Sequence, residues 1–556
     1  MKEDKEVLWG MTRFLDHIIS AYKKIVVMLM RIMLLFIFVV SFVSTSTLTD
    51  DISETTLFIG DNILVNILVI AAGIVALVIL MKTGFTPKIV ENKRCLWGIA
   101  IIFAVGLTWI VTSRYTPRSD QMAVYAGVEA LRQGDYSSFV KGEYFSKYPH
   151  QMGTIYIYFL WSLIFGTRNV LAFQLLNLLA VVLFYKKLGD ICIHQGMDTK
   201  YRMYLYLLGI AFYPLIMYSS FIYGNVLGLA LSVAAIDYEI VFLKNGSKLC
   251  GIMSLLAILV GIFAKKNYAI FLMAMIIYAI FETIRNKKLL QAAYTGLLIV
   301  VLLTNSLILE GITYKITGIE NDGAMSSWSY VAIGLQEGPR ANGWHNDFEA
   351  NSYQESGFDA DKQKEIALSS IKYSLGQFVS DPGYAKEFFL LKLASEWNNP
   401  TFECHWINQV CDYEEAQSNL TKEINSYSAS GIEYSYLDAF MILILIGAIA
   451  LFWLKDEYGL TQLILATVFV GGFLFHIVWE AKAQYTLSYY VLLFPYAASG
   501  YSCIIDCIKH RNSIPKRRLI GLLVCTCLIS LCIGGDFRSL VRDTESWHNY
   551  VANGVL

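Results

Sequence analysis

The chain has 556 residues, 56% of them hydrophobic and 16% charged, with a formal net charge of −1. Its mean hydropathy of +0.50 exceeds what a soluble globular chain of this size needs, so lipid is the solvent for most of it. Basic residues fall in short clusters between apolar runs, a membrane-loop pattern that gives nucleic-acid binding no support.

The N-terminus up to Lys24 is charged, and too long before the first apolar run for a cleavable signal peptide. A helix needs roughly 20 apolar residues to cross the hydrocarbon core. By that criterion spans are predicted at residues 25–43, 62–81, 97–112, 170–188, 203–218, 221–242, 249–264, 268–281 and 290–309. After a long polar stretch, 310–435, come spans at 436–454, 460–478, 485–508 and 519–533. The expected fold class is all-α, a polytopic membrane protein of about 13 transmembrane helices.

Lysine and arginine near the span ends set the direction. Lys23, Lys24 and Arg31 put the N-terminus in the cytoplasm. Asp50, Asp51, Glu54 and Asp61 then fall outside, and Lys82, Lys88, Lys93 and Arg94 inside. The clusters at Lys186, Lys187, Lys200 and Arg202, at Arg285, Lys287 and Lys288, and from Lys509 to Arg518 are likewise cytoplasmic. Residues 151–165 decide the parity: counted as a crossing, they send every later basic cluster outside. They are expected instead in the outer interface, with Tyr156, Tyr158 and Trp161 at headgroup depth.

Residues 113–169 then form one outer loop with interfacial helices. Residues 310–435 and the tail from Gly534 are outside too, and turn and capping signals within 359–377 predict a small ordered extracytoplasmic domain. The expected division is 1–96 (N-terminal segment and two spans), 97–309 (a transmembrane module carrying the 113–169 loop), 310–435 (the loop domain) and 436–556 (the last spans and tail). Eight of the ten cysteines lie in or beside apolar segments. Cys404 and Cys411, in the polar loop, either form one disulfide or are two reduced thiols. No Cys/His spacing resembles a zinc site, and the chain has no internal repeat, P-loop or nucleotide fingerprint.

Chemistry is written at a few boundary positions. Arg114-Tyr115-Thr116-Pro117-Arg118-Ser119-Asp120-Gln121 follows the span 97–112, and Gly142-Glu143-Tyr144-Phe145-Ser146-Lys147-Tyr148-Pro149-His150 follows that. Lys265-Lys266-Asn267 lies between two spans on the predicted outer side, against the positive-inside rule. The polar loop holds Trp344-His345 and His405-Trp406, aromatic and polar groups that suit sugar binding. Glu480 and Lys482, just past a span, pair with each other or line a cavity. Each has a plainer reading: Asp120 as a helix cap, Lys147 snorkelling to headgroups, Arg114 and Arg118 as lipid anchors, and the loop aromatics as packing.

This layout resembles the GT-C superfamily of integral membrane glycosyltransferases, especially the protein O-mannosyltransferase and aminoarabinose-transferase branch (glycosyltransferase family 39-like). The resemblance rests on Asp120 early in the first outer loop, on Tyr144-Phe145-Ser146-Lys147-Tyr148-Pro149, and on the late Lys482-Ala483-Gln484-Tyr485 with Pro495 beyond it. It implies transfer of a sugar from a polyprenyl-phosphate donor to an acceptor hydroxyl, with inversion and with Asp120 as general base. Lys147, Arg114, Arg118, Lys265 and Lys266 would bind the donor phosphate. Tyr144, His150, Glu480, Lys482, Tyr485, Trp344 and His345 would bind substrate. No cofactor is implied and no metal ligands are indicated. The expected acceptor is a cell-envelope glycan, teichoic acid, lipid or protein, and the setting a bacterial plasma membrane with an extracytoplasmic active site. The chain departs from the family at Gln121, where an Asp-Glu pair is common. A lipid-linked-glycan flippase or a catalytically inactive assembly subunit are the other readings.

Overall fold

In the computed structural model, which describes residues 2–49, 53–82, 92–197, 200–320, 323–404, 406–409, 418–424, 426–509 and 516–553, every predicted span falls on helix. In chain order the elements begin α1 (Lys2–Val43), β1 (Ser44–Leu48), β2 (Thr56–Gly60), α2 (Ile63–Lys82) and α3 (Asn92–Ser113). Next come α4 (Asp120–Gln133), α5 (Tyr144–Lys147), α6 (Met152–Phe165), α7 (Val170–His194), α8 (Lys200–Ala211), α9 (Pro214–Met217), α10 (Gly224–Asn245), α11 (Lys248–Ala264), α12 (Ala269–Asn286) and α13 (Leu289–Thr317). Over the polar stretch run α14 (Trp328–Gly334), α15 (Phe348–Glu355), α16 (Ala360–Ser380), α17 (Pro382–Trp397), α18 (Trp406–Gln409) and α19 (Asn419–Ile424). The chain ends with α20 (Tyr427–Leu454), α21 (Leu460–Val478), α22 (Ala483–Tyr490), α23 (Phe494–Lys509), α24 (Lys516–Gly534) and α25 (Thr544–Asn553).

Among the described residues, ten helices are long and apolar enough to cross a membrane. The bent pair Arg202–Ala211 and Pro214–Ser220, turning by 71°, passes that test as a unit. Ile63–Ala76 and Lys248–Ala264 are shorter apolar helices. The protein is thus a multi-pass, helical membrane protein. The bend has a local cause: Pro214 at a helix start has no amide hydrogen to continue the ladder from α8. α6 is 14 residues long, roughly 21 Å at the helical rise, too short to cross the core.

Two features depart from the sequence expectation. The charged N-terminal segment is continuous with the first span in a single 42-residue helix. The loop after it pairs β1 and β2 as an antiparallel hairpin, from Ser44 opposite Gly60 to Leu48 opposite Thr56. Alternating Ser-Thr-Ser-Thr and Thr-Leu-Phe-Ile supply the β-branched and aromatic residues that suit a strand. Other elements satisfy the hairpin's open edges: Ser46 N donates to Asn398 O at 3.1 Å and Thr56 N to Arg340 O at 2.9 Å, while Phe58 N donates to Asp543 Oδ2 at 2.9 Å. The hairpin therefore joins the 310–435 segment to the C-terminal tail.

The central core forms where α10 packs on α7 and α11, and α20 on α1 and α23. One glycine junction draws three of these helices together. A Cβ on Gly224 would lie 1.7 Å from Ala264 O, and one on Gly153 would lie 2.1 Å from Phe263 O. Only glycine lets α10 and α6 meet the C-terminal end of α11 at main-chain distance. Thr154 Oγ1 adds a hydrogen bond to Ala264 O at 2.6 Å. Cys404 is buried, its thiol 3.6 Å from Met217 Sδ; Cys411 and His405 lie outside the described residues.

Candidate active site

At Ser113 α3 gives way to an irregular segment in which Arg114 and Ser119 have φ values of 52° and 47°. A non-glycine residue so placed costs about 1 to 3 kcal/mol, and Ser119 immediately precedes Asp120. Asp120 is the first residue of α4 and is exposed. It does not serve as a cap: the cap position is Ser119, which makes no side-chain bond. The Asp120 Oδ1 instead accepts the Tyr144 hydroxyl at 2.9 Å. Gln121 faces elsewhere, its Oε1 accepting Ile222 N at 2.9 Å. A neutral amide suits that structural bond.

Tyr144 and Lys147 are the two ends of α5. Lys147 is half-buried, and its ammonium has no hydrogen bond or ion pair among the described residues. The Tyr144 ring lies 5.0 Å from that of Tyr148, which meets His150 edge-on at 6.0 Å. Burial first, then neighbouring Tyr223 and Asp120, push the Tyr144 phenol far above its ordinary range, so it stays a donor. Burial and the nearby Lys265 and Lys266 charges bring His150 down to about 3, leaving a neutral imidazole.

Lys265 follows the glycine junction in extended backbone. Its Nζ lies 4.4 Å from the centre of the Tyr223 ring and 5.2 Å from that of Tyr485, a cation held between aromatic faces. No carboxylate is within ion-pair distance of it among the described residues. Burial brings its pKa down to about 8, against the opposing pull of Asp120 and Glu480. Asp120, Lys265 and Glu480 thus share one electrostatic neighbourhood. Lys266 is exposed.

Glu480 sits two residues beyond α21 and is 8% exposed. Burial pushes its carboxyl up to about 7; Glu349 adds to this, while His345, Lys482 and Lys265 oppose it. Its main chain is held on both sides. The Lys392 ammonium donates to Gly334 O at 2.6 Å, Ile477 O at 3.0 Å and Trp479 O at 2.7 Å. Ala481 N donates to Gly343 O at 2.8 Å. Lys392 thereby satisfies carbonyls at the C-terminal ends of α14 and α21, where a cation also complements the helix dipoles.

Of the two readings for Glu480 and Lys482, the mutual pair is not formed. Lys482 Nζ lies 2.7 Å from Glu54 Oε1 and 3.7 Å from Glu403 Oε2, and Arg340 also pairs with Glu54. The cause is the hairpin, which carries Glu54 from far upstream to the end of α21. Trp344 does not offer a face to a ligand: it is 1% exposed and its Nε1 donates to Ser395 Oγ at 2.7 Å. His345 Nε2 lies 2.8 Å from Glu349 Oε1, which raises its pKa. Arg114 is exposed, and Arg118 is half-buried and already engaged.

The structure thus gathers Asp120, Tyr144, His150, Lys265, Glu480 and Tyr485, and leaves Trp344 and Lys482 to packing and ion pairing. Sequence reading missed Tyr223, Tyr330, Glu349 and Lys392. Tyr330 stacks on Trp479 at 5.5 Å and 18°. His345 lies in the loop before α15 and meets Glu349 in its first turn. Lys392 carried no signal, because its partners are carbonyls of distant segments. Among the described residues no group of three or more His, Cys, Asp or Glu could hold a metal ion.

No protein-family model matches the chain, and no curated protein sequence matches it. Two solved structures from Archaeoglobus fulgidus are similar to it. One is the archaeal oligosaccharyltransferase AglB in complex with an inhibitory peptide and a dolichol-phosphate, at 12% identity and a TM-score of 0.40, over 80% of this chain and 55% of that one. The other is an oligosaccharyltransferase in the apo form, at 12% identity and a TM-score of 0.39, over 82% of this chain and 56% of that one. The chain spans little more than half the length of either.

Proposed function

We propose that this chain is a membrane glycosyltransferase that moves a sugar from a polyprenyl-phosphate donor to an acceptor hydroxyl, on the membrane face opposite its basic clusters. The observation that carries the reading is that Asp120, oriented by the Tyr144 hydroxyl at 2.9 Å, lies within electrostatic reach of Lys265, a cation with no ion pair among the described residues. Asp120 follows the span Leu96–Ser113 by seven residues, and Lys265 immediately precedes the span Lys266–Asn286. A donor anchored by its prenyl chain is confined to that plane, which supplies proximity.

Asp120 takes the acceptor hydroxyl's proton as its oxygen forms the new bond to the anomeric carbon. The bond from that carbon to the phosphate oxygen breaks, and polyprenyl phosphate departs with the electron pair. A phosphate leaves without protonation, so the second carboxyl that glycosidases need for an alkoxide leaving group is not required. Direct displacement inverts the anomeric centre. Lys265, with Lys147 and Lys266 from neighbouring turns, balances the phosphate charge. Tyr485 and neutral His150 line the sugar's side, and Glu480 accepts a substrate hydroxyl. A cell-envelope glycan, lipid or protein on the outside of a plasma membrane is the acceptor this reading favours.

The test is transfer of labelled sugar from synthetic polyprenyl-phosphate donors in membranes holding wild type or Asp120→Asn. Loss of at least 100-fold in turnover (about 3 kcal/mol) is expected. Undiminished transfer by Asp120→Asn ends the base assignment. Donor translocation in proteoliposomes without any new glycosidic bond would favour a flippase.

A further inference from the structure

Gln462 near the start of α21 and Glu480 beyond its end lie on opposite sides of a 19-residue helix, roughly 28 Å apart by its rise. At the Gln462 end a cavity of about 300 Å³ lies among the end of α7, the end of α20, the start of α21 and one face of α23. None of the candidate active-site residues lines it. Ser499, Ser502, Cys503 and Asp506 all line it, at intervals that place them on one side of α23. A polar stripe in an apolar helix needs something to face.

The polar groups of this cavity are mixed in a specific way. Lys455 is half-buried, its Nζ 3.0 Å from Gln462 Oε1 and 5.1 Å from the centre of the Tyr458 ring. The neighbouring cations are engaged elsewhere: Arg31 Nε donates to Phe452 O at 2.8 Å and Arg518 Nη1 to Leu454 O at 2.6 Å. Lys455 is the cation left facing the space. Against it stand two acceptors, one buried and one exposed. Gln195 is 6% exposed; its Oε1 has no hydrogen-bond partner among the described residues, while its Nε2 donates to Thr461 O at 3.0 Å. Asp506 has no ion pair among the described residues.

From this arrangement we infer a binding site for a polyol phosphate, an anionic phosphate bearing neighbouring hydroxyls. A bare phosphate satisfies Lys455 but meets Asp506 with like charge. A bare ammonium satisfies Asp506 but meets Lys455. A phosphate carrying a diol answers both: its anion faces Lys455, and its hydroxyls donate to Asp506 and Gln195 Oε1, with Ser499 and Ser502 alongside. At about 30 Å³ per water the space has room for about ten waters, enough for a headgroup of glycerophosphate size. The same chemistry is offered by a lipid headgroup in that leaflet and by a free polyol phosphate.

The full chain is reconstituted in phosphatidylcholine nanodiscs, then in discs with added phosphatidylglycerol, with added phosphatidylserine, or with soluble glycerol 3-phosphate. Two quantities are read: thermal stability, and alkylation of the Cys503 peptide by a small maleimide, followed by mass spectrometry. Phosphatidylglycerol is expected to raise stability and shield Cys503 saturably, and phosphatidylserine, an anion without the diol, to do so at least ~10-fold less well. Shielding by glycerol 3-phosphate alone assigns the site to a free ligand and upholds the chemistry. Lys455→Gln and Asp506→Asn should each weaken the effect ~10-fold; Asp506 is exposed and has no ion pair among the described residues, so its replacement leaves folding intact. Absence of shielding by either polyol phosphate, equal shielding by phosphatidylserine, or indifference to both substitutions overturns the inference.

Discussion

Glu480→Gln offers the sharpest check on the electrostatics of the candidate site. The wild-type carboxyl has a pKa raised from 4.5 to about 7, chiefly by burial. The native state therefore holds the proton more tightly than the unfolded chain does. The resulting stability is fully present below pH 4.5 and is lost as pH rises through 7. Integrating between pH 5 and pH 8 gives a loss of about 2.5 kcal/mol from this one group. Glutamine keeps the shape but cannot ionise. Any cost of placing an amide there is the same at both pH values and cancels when the two are compared. The measurement is the difference in unfolding stability between pH 5 and pH 8 in detergent, for wild type and Glu480→Gln. The variant should lose about 2.5 kcal/mol less across that interval. An unchanged difference would show that Glu480 ionises as freely as an exposed glutamate, and the argument from its burial would fail.

Tyr144→Phe removes the hydrogen bond that orients the Asp120 carboxylate and should lower kcat/KM for sugar transfer by about 10- to 100-fold. Lys392→Met strips the donor from three carbonyls, at 2.6, 3.0 and 2.7 Å, and should destabilise by about 3 to 5 kcal/mol, read as a lower unfolding midpoint. Gly224→Ala puts a Cβ 1.7 Å from Ala264 O. It should cost about 1 to 3 kcal/mol and, because Lys265 is the next residue, weaken donor binding as well; full donor affinity in this variant would separate the junction from the site.

Sequence alone found the spans because a run of about 20 apolar residues has no other stable fate in lipid. It also set residues 151–165 apart from the crossings, because loop charge argues parity however a segment is packed, and the helix there is 14 residues long. What it could not reach were contacts set by long-range closure. The Lys482 partner is Glu54, 428 residues away in sequence, and arrives only because a hairpin forms in a loop that reads as merely polar. Trp344 looked like a sugar platform because an indole beside amides carries the same letters whether exposed or, as here, closed over Ser395. Lys265 was visible as a violation of charge topology. That no carboxylate among the described residues pairs with it was not, since that depends on tertiary contacts.

Donor binding should also move protons. Tyr144 and Tyr148 stay protonated, and His150, held at about 3, stays neutral at physiological pH. Near neutrality the variable charges are Glu480, at about 7, and Lys265, at about 8. A phosphate anion bound beside Lys265 raises both, because it favours the ammonium and disfavours the carboxylate. At pH 7.5 roughly three quarters of a proton is missing from Glu480 and roughly one quarter from Lys265, so the uptake on binding should reach as much as about one proton. Calorimetry of binding to a polyprenyl phosphate in buffers of different ionisation enthalpy measures that number directly. Lys265→Met should weaken binding and remove its own share of the uptake, and Glu480→Gln should remove the larger share while leaving affinity nearly intact. Uptake near zero in the wild type would mean that the phosphate binds outside this pair's reach, with Lys147 then the cation to examine.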